Sequence, residues 1–333
     1  MTTKTIETSA ITQVSVLEIH ERKEQIAGRL APFTVYLNEA QQISVTGGAE
    51  TETTQDLLSR FSRLKYGSLA EAEYFAQHIC QSALSNASFV AFLERARDEN
   101  ALVYITSPGI YNVPSASNLL LKAVTAHLNV ALSQSSNLPT VIYTDQTRVG
   151  ESSLHYASQS LGQRGSEKRS RSITPEKFND QFVIFVDDVV ISGTVANRAA
   201  QSILAVGAQE LFQLFAAQVD PLFVAQTYGK IEDVINRYQI TGSLESLKPI
   251  LLGEFEPVQK LLRDFLCPEN THYLFDFLQT LPNQVVLKIF RAATANDFFR
   301  RYNEIYRPSL ELVLNHLQSI GLADERGYLT LIG

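Results

Sequence analysis

Between residues 101 and 220 the chain alternates four short apolar runs, ALVYIT, PTVIYT, QFVIFV and LFQLFAAQV, with amphipathic stretches such as ASNLLLKAVTAHLNVAL and TVANRAAQSILAVGA. Each run is too short for a free-standing helix and too apolar for a strand with one wet face, so each reads as a strand buried on both sides. Buried strands that alternate with amphipathic helices build a parallel sheet with helices on both faces. This pattern predicts the α/β class. It also predicts where a ligand goes, because such sheets bind ligands beyond the carboxyl ends of their strands.

The flanks read differently. Residues 1–15 are rich in Thr and Ser with little periodicity and are expected to form an arm. LAPFTVYL and QQISVTGG form a candidate strand pair, with a turn at Gly47 and Gly48. Residues 54–64 and 68–97 have helical periodicity, with Leu57, Leu58, Phe61 and Leu64 on one face and Ala72, Phe75, Ala76, Ile79 and Ala83 on another. Ser68 followed by Glu71 fits a capping box. From residue 226 onward no buried strand is evident. HYLFDFLQTL, QVVLKIF, ANDFFRRYNEIY and PSLELVLNHLQSIG all carry helical spacing, the last with Pro308 at its expected start and Gly321 at its end.

Composition excludes several classes. Of 333 residues, 28 are Lys or Arg and 35 are Asp or Glu, a net charge of −7, which offers no general field to nucleic acid or anionic lipid. Any polyanion site must be local. Cys80 and Cys267 form neither a CxxC pair nor a disulfide framework and read as inert thiols in a reducing compartment. The start, MTTKTIETSAITQVSV, lacks the apolar core of a signal peptide, and no window nears 18 uninterrupted apolar residues, so a cytoplasmic protein without a membrane span is expected. His20, His78, His127, His155, His272 and His316 show no metal-ligand spacing and read as surface or hydrogen-bonded groups. Arg291, Arg300, Arg301 and Arg307 read as a solvated helical surface, since residues 226–333 carry 11 basic and 13 acidic side chains.

The chemistry concentrates in FVIFVDDVVISGTVA, residues 182–196. Val183, Ile184, Phe185 and Val186 read as a buried strand that stops at Asp187 and Asp188. A short apolar stretch follows, then Ser192, Gly193 and Thr194, then a helix. That turn offers hydroxyls, a small residue that lets backbone N–H groups approach a ligand, and the positive end of a helix, which together make a cradle for a phosphate monoester. Two carboxylates beside it cannot bind phosphate directly. They suit sugar hydroxyls, or a Mg²⁺ that a sugar and a diphosphate also ligate. A receiver domain needs its acids on the first strand, and a haloacid phosphatase needs Asp-x-Asp; neither uses the Ser-Gly-Thr turn. No G-x-G-x-x-G of a dinucleotide fold is present.

Residues 182–196 resemble the phosphoribosyl diphosphate (PRPP) motif of the type I phosphoribosyltransferases (PRTases), and DDVVISGTV is most similar to the orotate phosphoribosyltransferase form. The resemblance implies a PRTase-type parallel sheet flanked by helices, divided into an N-terminal arm and hood-like extension (1–60), a phosphoribosyltransferase-like core (61–225) and an all-helical C-terminal domain (226–333). By the same resemblance Asp187 and Asp188 contact the ribose 2- and 3-hydroxyls, with Mg²⁺ reached through those hydroxyls or water. Ile191, Ser192, Gly193, Thr194 and Val195 wrap the 5-phosphate. Ser107, Gly109 and Ile110 in SPGIYN stand at the diphosphate loop, without the basic residue and paired glycines often found there.

The long polar segment 149–178, VGESSLHYASQSLGQRGSEKRSRSITPEKF, sits where the family carries a flexible closing loop, so Arg164, Lys168 and Arg169, with Arg171, become candidates for diphosphate charge neutralisation. His155 and Tyr156 lie in the same segment. Asp220-Pro221 at the end of the last buried run reads first as a turn. Ile191 stands where purine-type enzymes carry an aspartate base, which disfavours purine salvage, and the orotate-type Lys and His loop pattern is not recognisable, so no base is assigned. Two function classes follow. One is a pentosyltransferase moving phosphoribosyl between PRPP and a small-molecule acceptor, with a pyrimidine-like base as one candidate. The other is a catalytically silent PRPP- or nucleotide-binding regulatory or interaction protein. Neither involves a membrane or nucleic acid, and a homodimer is compatible with both.

Overall fold

A computed structural model describes residues 25–47, 52–110, 112–135, 137–149, 171–227, 230–301 and 303–330. The apolar runs become the centre of one sheet. Its strands are β1 (Ile26–Leu30), β2 (Phe33–Leu37), β3 (Ile43–Thr46), β4 (Val103–Thr106), β5 (Val141–Tyr143), β8 (Phe182–Val190) and β9 (Glu210–Val219). They run in the order β3-β2-β9-β8-β4-β5, with β1 also paired to β9. Every pairing is parallel except the predicted β2–β3 hairpin. β1 lies along Leu211 to Leu214 and β2 along Ala217 to Val219, so the N-terminal strands share one edge of β9.

Alternation along β8 serves two cores. Phe182, Ile184 and Val186 pack into a large cluster with α1 (Thr54–Lys65), α2 (Leu69–Leu84), α3 (Ala87–Asp98) and α4 (Ala116–Ser133), while Val183 and Phe185 pack with α5 (Thr194–Ala205) on the other face. Two-sided burial is why this strand is continuously apolar. Helices on both faces of a mostly parallel sheet make this the expected α/β fold.

The first two helix starts are capped differently. Thr53 caps α1 in a full capping box with Asp56. Ser68, by contrast, makes no side-chain cap to α2. Glu71 turns away to meet Arg60 Nη1 at 2.9 Å and Arg63 Nε at 2.7 Å. Two charge-assisted bonds outcompete one neutral cap.

The rest of the chain is helical: α6 (Pro221–Gln226), α7 (Ile231–Asn236), α8 (Leu244–Leu251), α9 (Gln259–Phe265), α10 (Pro268–Leu278), α11 (Asn283–Ala295), α12 (Phe298–Arg301) and α13 (Asn303–Ser319). Pro308 lies inside α13 and not at its start, in the second turn, where it removes the N–H that the Glu304 carbonyl would accept. Gly321 does end the helix, at φ +74°, with the Leu322 N–H reaching the Leu317 carbonyl at 2.8 Å. Asp220 accepts from the Leu222 and Phe223 amides and caps α6, so Asp220-Pro221 is a helix start after a turn. The large core cluster runs on from Phe212 through Leu261 and Phe277 to Val313. No helix among the described residues is long and apolar enough to cross a membrane.

The long polar segment has structured ends. β6 (Thr147–Val149) and β7 (Arg171–Ile173) pair antiparallel, Thr147 opposite Ile173. A strand pair therefore stands where none was expected, because polar strands lack the apolar signature of the sheet. The arm 1–15 and residues Arg164, Lys168, Arg169, His155 and Tyr156 lie outside the described residues.

Phe212, near the start of β9, is 1% exposed and packs edge-on to Phe89 at 5.0 Å between ring centroids. Phe212→Ala should lower the unfolding free energy by ~3–5 kcal/mol, read as a shifted urea midpoint with little change in slope.

Candidate functional site

β8 does not stop at the two acids. Its pairing with β9 continues from Asp187 opposite Phe215 to Val190 opposite Gln218, so Asp187 and Asp188 are strand residues near the carboxyl end of the sheet. Both are buried, at 8% and 6% exposure. Burying two adjacent carboxylates requires partners. Asp187 Oδ1 accepts the Ser117 hydroxyl at 2.5 Å and the Asp188 amide at 2.9 Å. Asp188 Oδ1 accepts the Val189 amide at 2.6 Å, and its Oδ2 meets Lys65 Nζ at 2.7 Å.

These contacts leave excess negative charge. Burial, with the Asp188 charge beside it, pushes the Asp187 carboxyl up to about 7 despite the Ser117 hydroxyl and Lys65. Desolvation pulls the Lys65 ammonium down, but Asp188, Glu232 and Asp187 outweigh it and hold the pKa above its ordinary value. Among the described residues no group of three or more His, Cys, Asp or Glu could hold a metal. The acid pair fits a divalent cation only if a ligand supplies further oxygens, and the excess charge at Asp187 suits one shared in that way.

The turn after β8 has the expected form. Gly193 adopts φ +73° as the cap of α5, and the Asn197 amide reaches its carbonyl at 2.8 Å. The left-handed conformation selects glycine here. The Ser192 and Thr194 hydroxyls lie 2.9 Å apart. Ile191 packs against the core, while Val195 is 41% exposed. The turn therefore presents hydroxyls and the amides of a helix start to solvent.

Beside it stands a cation. Arg29, on β1, donates to Gln213 Oε1 from Nε at 3.0 Å and from Nη2 at 2.8 Å, and to Asn197 Oδ1 at 3.2 Å. Its Nη1 would lie 3.8 Å from a Cβ built on Gly193. No carboxylate pairs with it among the described residues, and burial lowers its pKa.

The loop after β4 lies next to the acid pair because β4 and β8 run side by side, Thr106 opposite Phe185. Ser107 is buried, and its Oγ accepts from Asn118 Nδ2 at 2.8 Å, which also donates to the Pro108 carbonyl at 3.1 Å. The Ile110 amide donates to the Gln146 carbonyl at 3.0 Å. One helix start organises both sides: Ser117 reaches Asp187, and Asn118 holds the Ser107 loop and its own cap at Ser115. At the ends of β4 and β5, Thr106 Oγ1, Thr144 Oγ1 and Gln146 Nε2 are buried with no hydrogen-bond partner among the described residues.

With these elements in place the sequence finds its relatives. A family model described as PRTase ComF-like matches residues 56–313, well over half of the chain. The chain belongs to the PRTase ComF-like family. Its likeness to solved structures is slight. A hypoxanthine phosphoribosyltransferase from Trypanosoma cruzi in complex with its product IMP aligns at 11% identity and a TM-score of 0.26, covering 46% of this chain and 76% of that one. The hypoxanthine phosphoribosyltransferase from Staphylococcus aureus gives 11%, 0.26, 45% and 75%. No curated protein matches.

Within this PRTase-like site, sequence reasoning missed Lys65, Ser117, Asn118 and Arg29. Lys65 and Arg29 carry no local signal, since each is defined by contacts across the fold. The SASN preceding the α4 apolar run was readable as a cap, though not as a clamp on the acids. Cys80 and Cys267 are free, with burial pushing their thiols up to about 12 and about 11, as inert thiols should be. His78 and His127 are hydrogen-bonded to the Tyr74 carbonyl and Glu73, but His316 is buried with Nε2 unpartnered among the described residues.

The Asp187 carboxyl ionises near 7 in the folded chain against an ordinary 3.8. Charging it in place opposes folding, so its contribution to stability is full below about 4 and is lost as pH rises to about 7. Asp187→Asn should therefore flatten the decline of the melting temperature across that window and leave the ligand-free protein more stable than wild type at pH 8.

Proposed function

We propose that the protein binds PRPP together with Mg²⁺ and transfers the phosphoribosyl group to or from a small-molecule acceptor, with diphosphate exchanged. One observation carries this reading: a buried pair of acids, Asp187 and Asp188, is followed within six residues by a left-handed Gly193 turn that opens a helix. Sugar hydroxyls suit the acids, and a phosphate monoester suits the turn.

In this reading Asp187 and Asp188 accept hydrogen bonds from the ribose hydroxyls. The Ser192 and Thr194 hydroxyls, with the amides from Ile191 to Val195, hold the 5-phosphate, and Arg29 adds positive charge at its flank. The Ser107 hydroxyl is engaged by Asn118 and the Ile110 amide by the Gln146 carbonyl, so Ser107, Gly109 and Ile110 would meet diphosphate only by exchanging contacts within the loop. Asp187 and Asp188 would hold Mg²⁺ through the ribose hydroxyls or water, and the ion would supply neutralisation of the leaving diphosphate. The DDVVISGTV spelling supports the orotate-type form of the motif. Ile191 packs on the core, which fits a site with no side-chain base at that position.

A second reading has its own support. The segment after β4, SPGIYN, lacks the basic residue and paired glycines often found at a diphosphate loop, which supports a PRPP- or nucleotide-binding protein that has lost turnover. Isothermal titration with PRPP and Mg²⁺, beside an assay of diphosphate release across a panel of bases, separates the two. The transferase reading expects binding and release; binding without release favours the silent protein. The double change Asp187→Asn with Asp188→Asn should abolish PRPP binding in either case, and retained affinity refutes the site.

A further inference from the structure

We propose that Gln213 is a positioning residue of the Gly193 turn. It holds Arg29 through an uncharged contact, so that strand β1 presents a guanidinium with its full charge to the 5-phosphate and makes the turn select a phosphorylated pentose over the free sugar. This rests on the phosphoribosyl reading above and extends it to a strand that precedes residues 56–313, the part matched by the family model.

Gln213 is 0% exposed in β9, flanked by Leu211, Phe212, Leu214 and Phe215. A buried amide in a central strand costs free energy unless its hydrogen bonds are made. Both ends of this one are engaged. Nε2 donates to the Ala196 carbonyl at 3.0 Å, in the first turn of α5, and Oε1 accepts Nε and Nη2 of Arg29 at 3.0 and 2.8 Å. One side chain thus ties the helix that follows the turn to the guanidinium beside it.

Delivery of Arg29 is built into β1. The β1–β9 register slips between Ile26, opposite Leu211, and Gly28, opposite Phe212, which places Arg29 opposite Gln213. Such a bulge re-aims the side chains that follow it; without it Gly28 would stand opposite Gln213. Gly28 also lets the strand sit this close, since a Cβ there would lie 2.6 Å from Phe212 Cε2. The guanidinium then lies over the Phe215 ring at 5.6 Å, with Nη2 also bonded to Asn197 Oδ1 at 3.2 Å and Nη1 beside Gly193.

The chemistry of the grip decides what the cation can do. A carboxylate at position 213 would hold the same fork and cancel its charge, whereas an amide holds it and leaves the charge for a ligand. No acid pairs with Arg29 among the described residues, and burial alone shifts its pKa, downward. A cation kept from neutralisation beside two hydroxyls at a helix start suits a phosphate ester.

Isothermal titration of the full chain with Mg²⁺ present compares ribose 5-phosphate with ribose. Wild type should bind the ester at least about tenfold more tightly than the sugar. Arg29→Gln, at an exposed position where folding is not at risk, should weaken the ester by about tenfold and flatten the loss of its affinity with added salt; Arg29→Lys should recover part of it. Gln213→Leu should weaken the ester too, and combined with Arg29→Gln should cost nothing further, because both changes remove one contact. Gln213→Glu, which keeps the grip but adds a carboxylate, should weaken it as far as Arg29→Gln does. Ester affinity untouched in Arg29→Gln, losses from Gln213→Leu and Arg29→Gln that simply add, or full affinity in Gln213→Glu overturns this proposal alone. A wild type that binds ribose 5-phosphate no better than ribose brings down the phosphoribosyl reading and this proposal with it.

Discussion

Two neighbouring carboxylates buried in a central strand are the constraint around which the rest of the site is arranged. Neither can be taken from water without compensation, and each repels the other's charge. The structure answers with one ammonium, one hydroxyl and two backbone amides, from α1, α4 and β8 itself. That compensation is incomplete, since Asp187 is still pushed up to about 7. A strand does not retain such a pair for stability, because apolar residues of similar volume would serve the fold better. The remaining electrostatic demand of the pair is what the proposed ribose and Mg²⁺ would meet.

The position of Lys65 follows from the same constraint. It ends α1, the helix anchored to the core by Leu57, Leu58, Phe61 and Leu64, and its Asp188 contact ties that helix to the sheet's carboxyl edge. Arg60 and Arg63 of the same helix clamp Glu71 on α2. The cationic side chains of α1 are thus spent on buried acids instead of solvent. The N-terminal strands are integrated in a similar way: β1 and β2 extend the sheet along β9, and β1 delivers Arg29 to the Gly193 turn.

What could be read from the sequence divides by the range of the interaction. The four buried strands, the β2–β3 hairpin, the Gly193 turn and the helical C-terminal region are all written in local periodicity or turn chemistry. Failures came where a distant group overruled a local preference. Ser68 and Glu71 had the spelling of a capping box, but two arginines one helix away took the carboxylate. Asp187 and Asp188 had the polarity of a strand end, but β9 continued the pairing past them. Pro308 had the preference of a helix start, but the helix began earlier. Lys65 and Arg29 carry no local signal, and only the fold brings Asp188 and Gly193 beside them.

Net charge illustrates the same division at the scale of the whole chain. A value of −7 argues against binding any extended polyanion. A small phosphorylated ligand is a different problem, because a helix start, a glycine turn and one arginine create a positive potential over a few ångströms, well inside the screening length of about 8 Å at physiological salt.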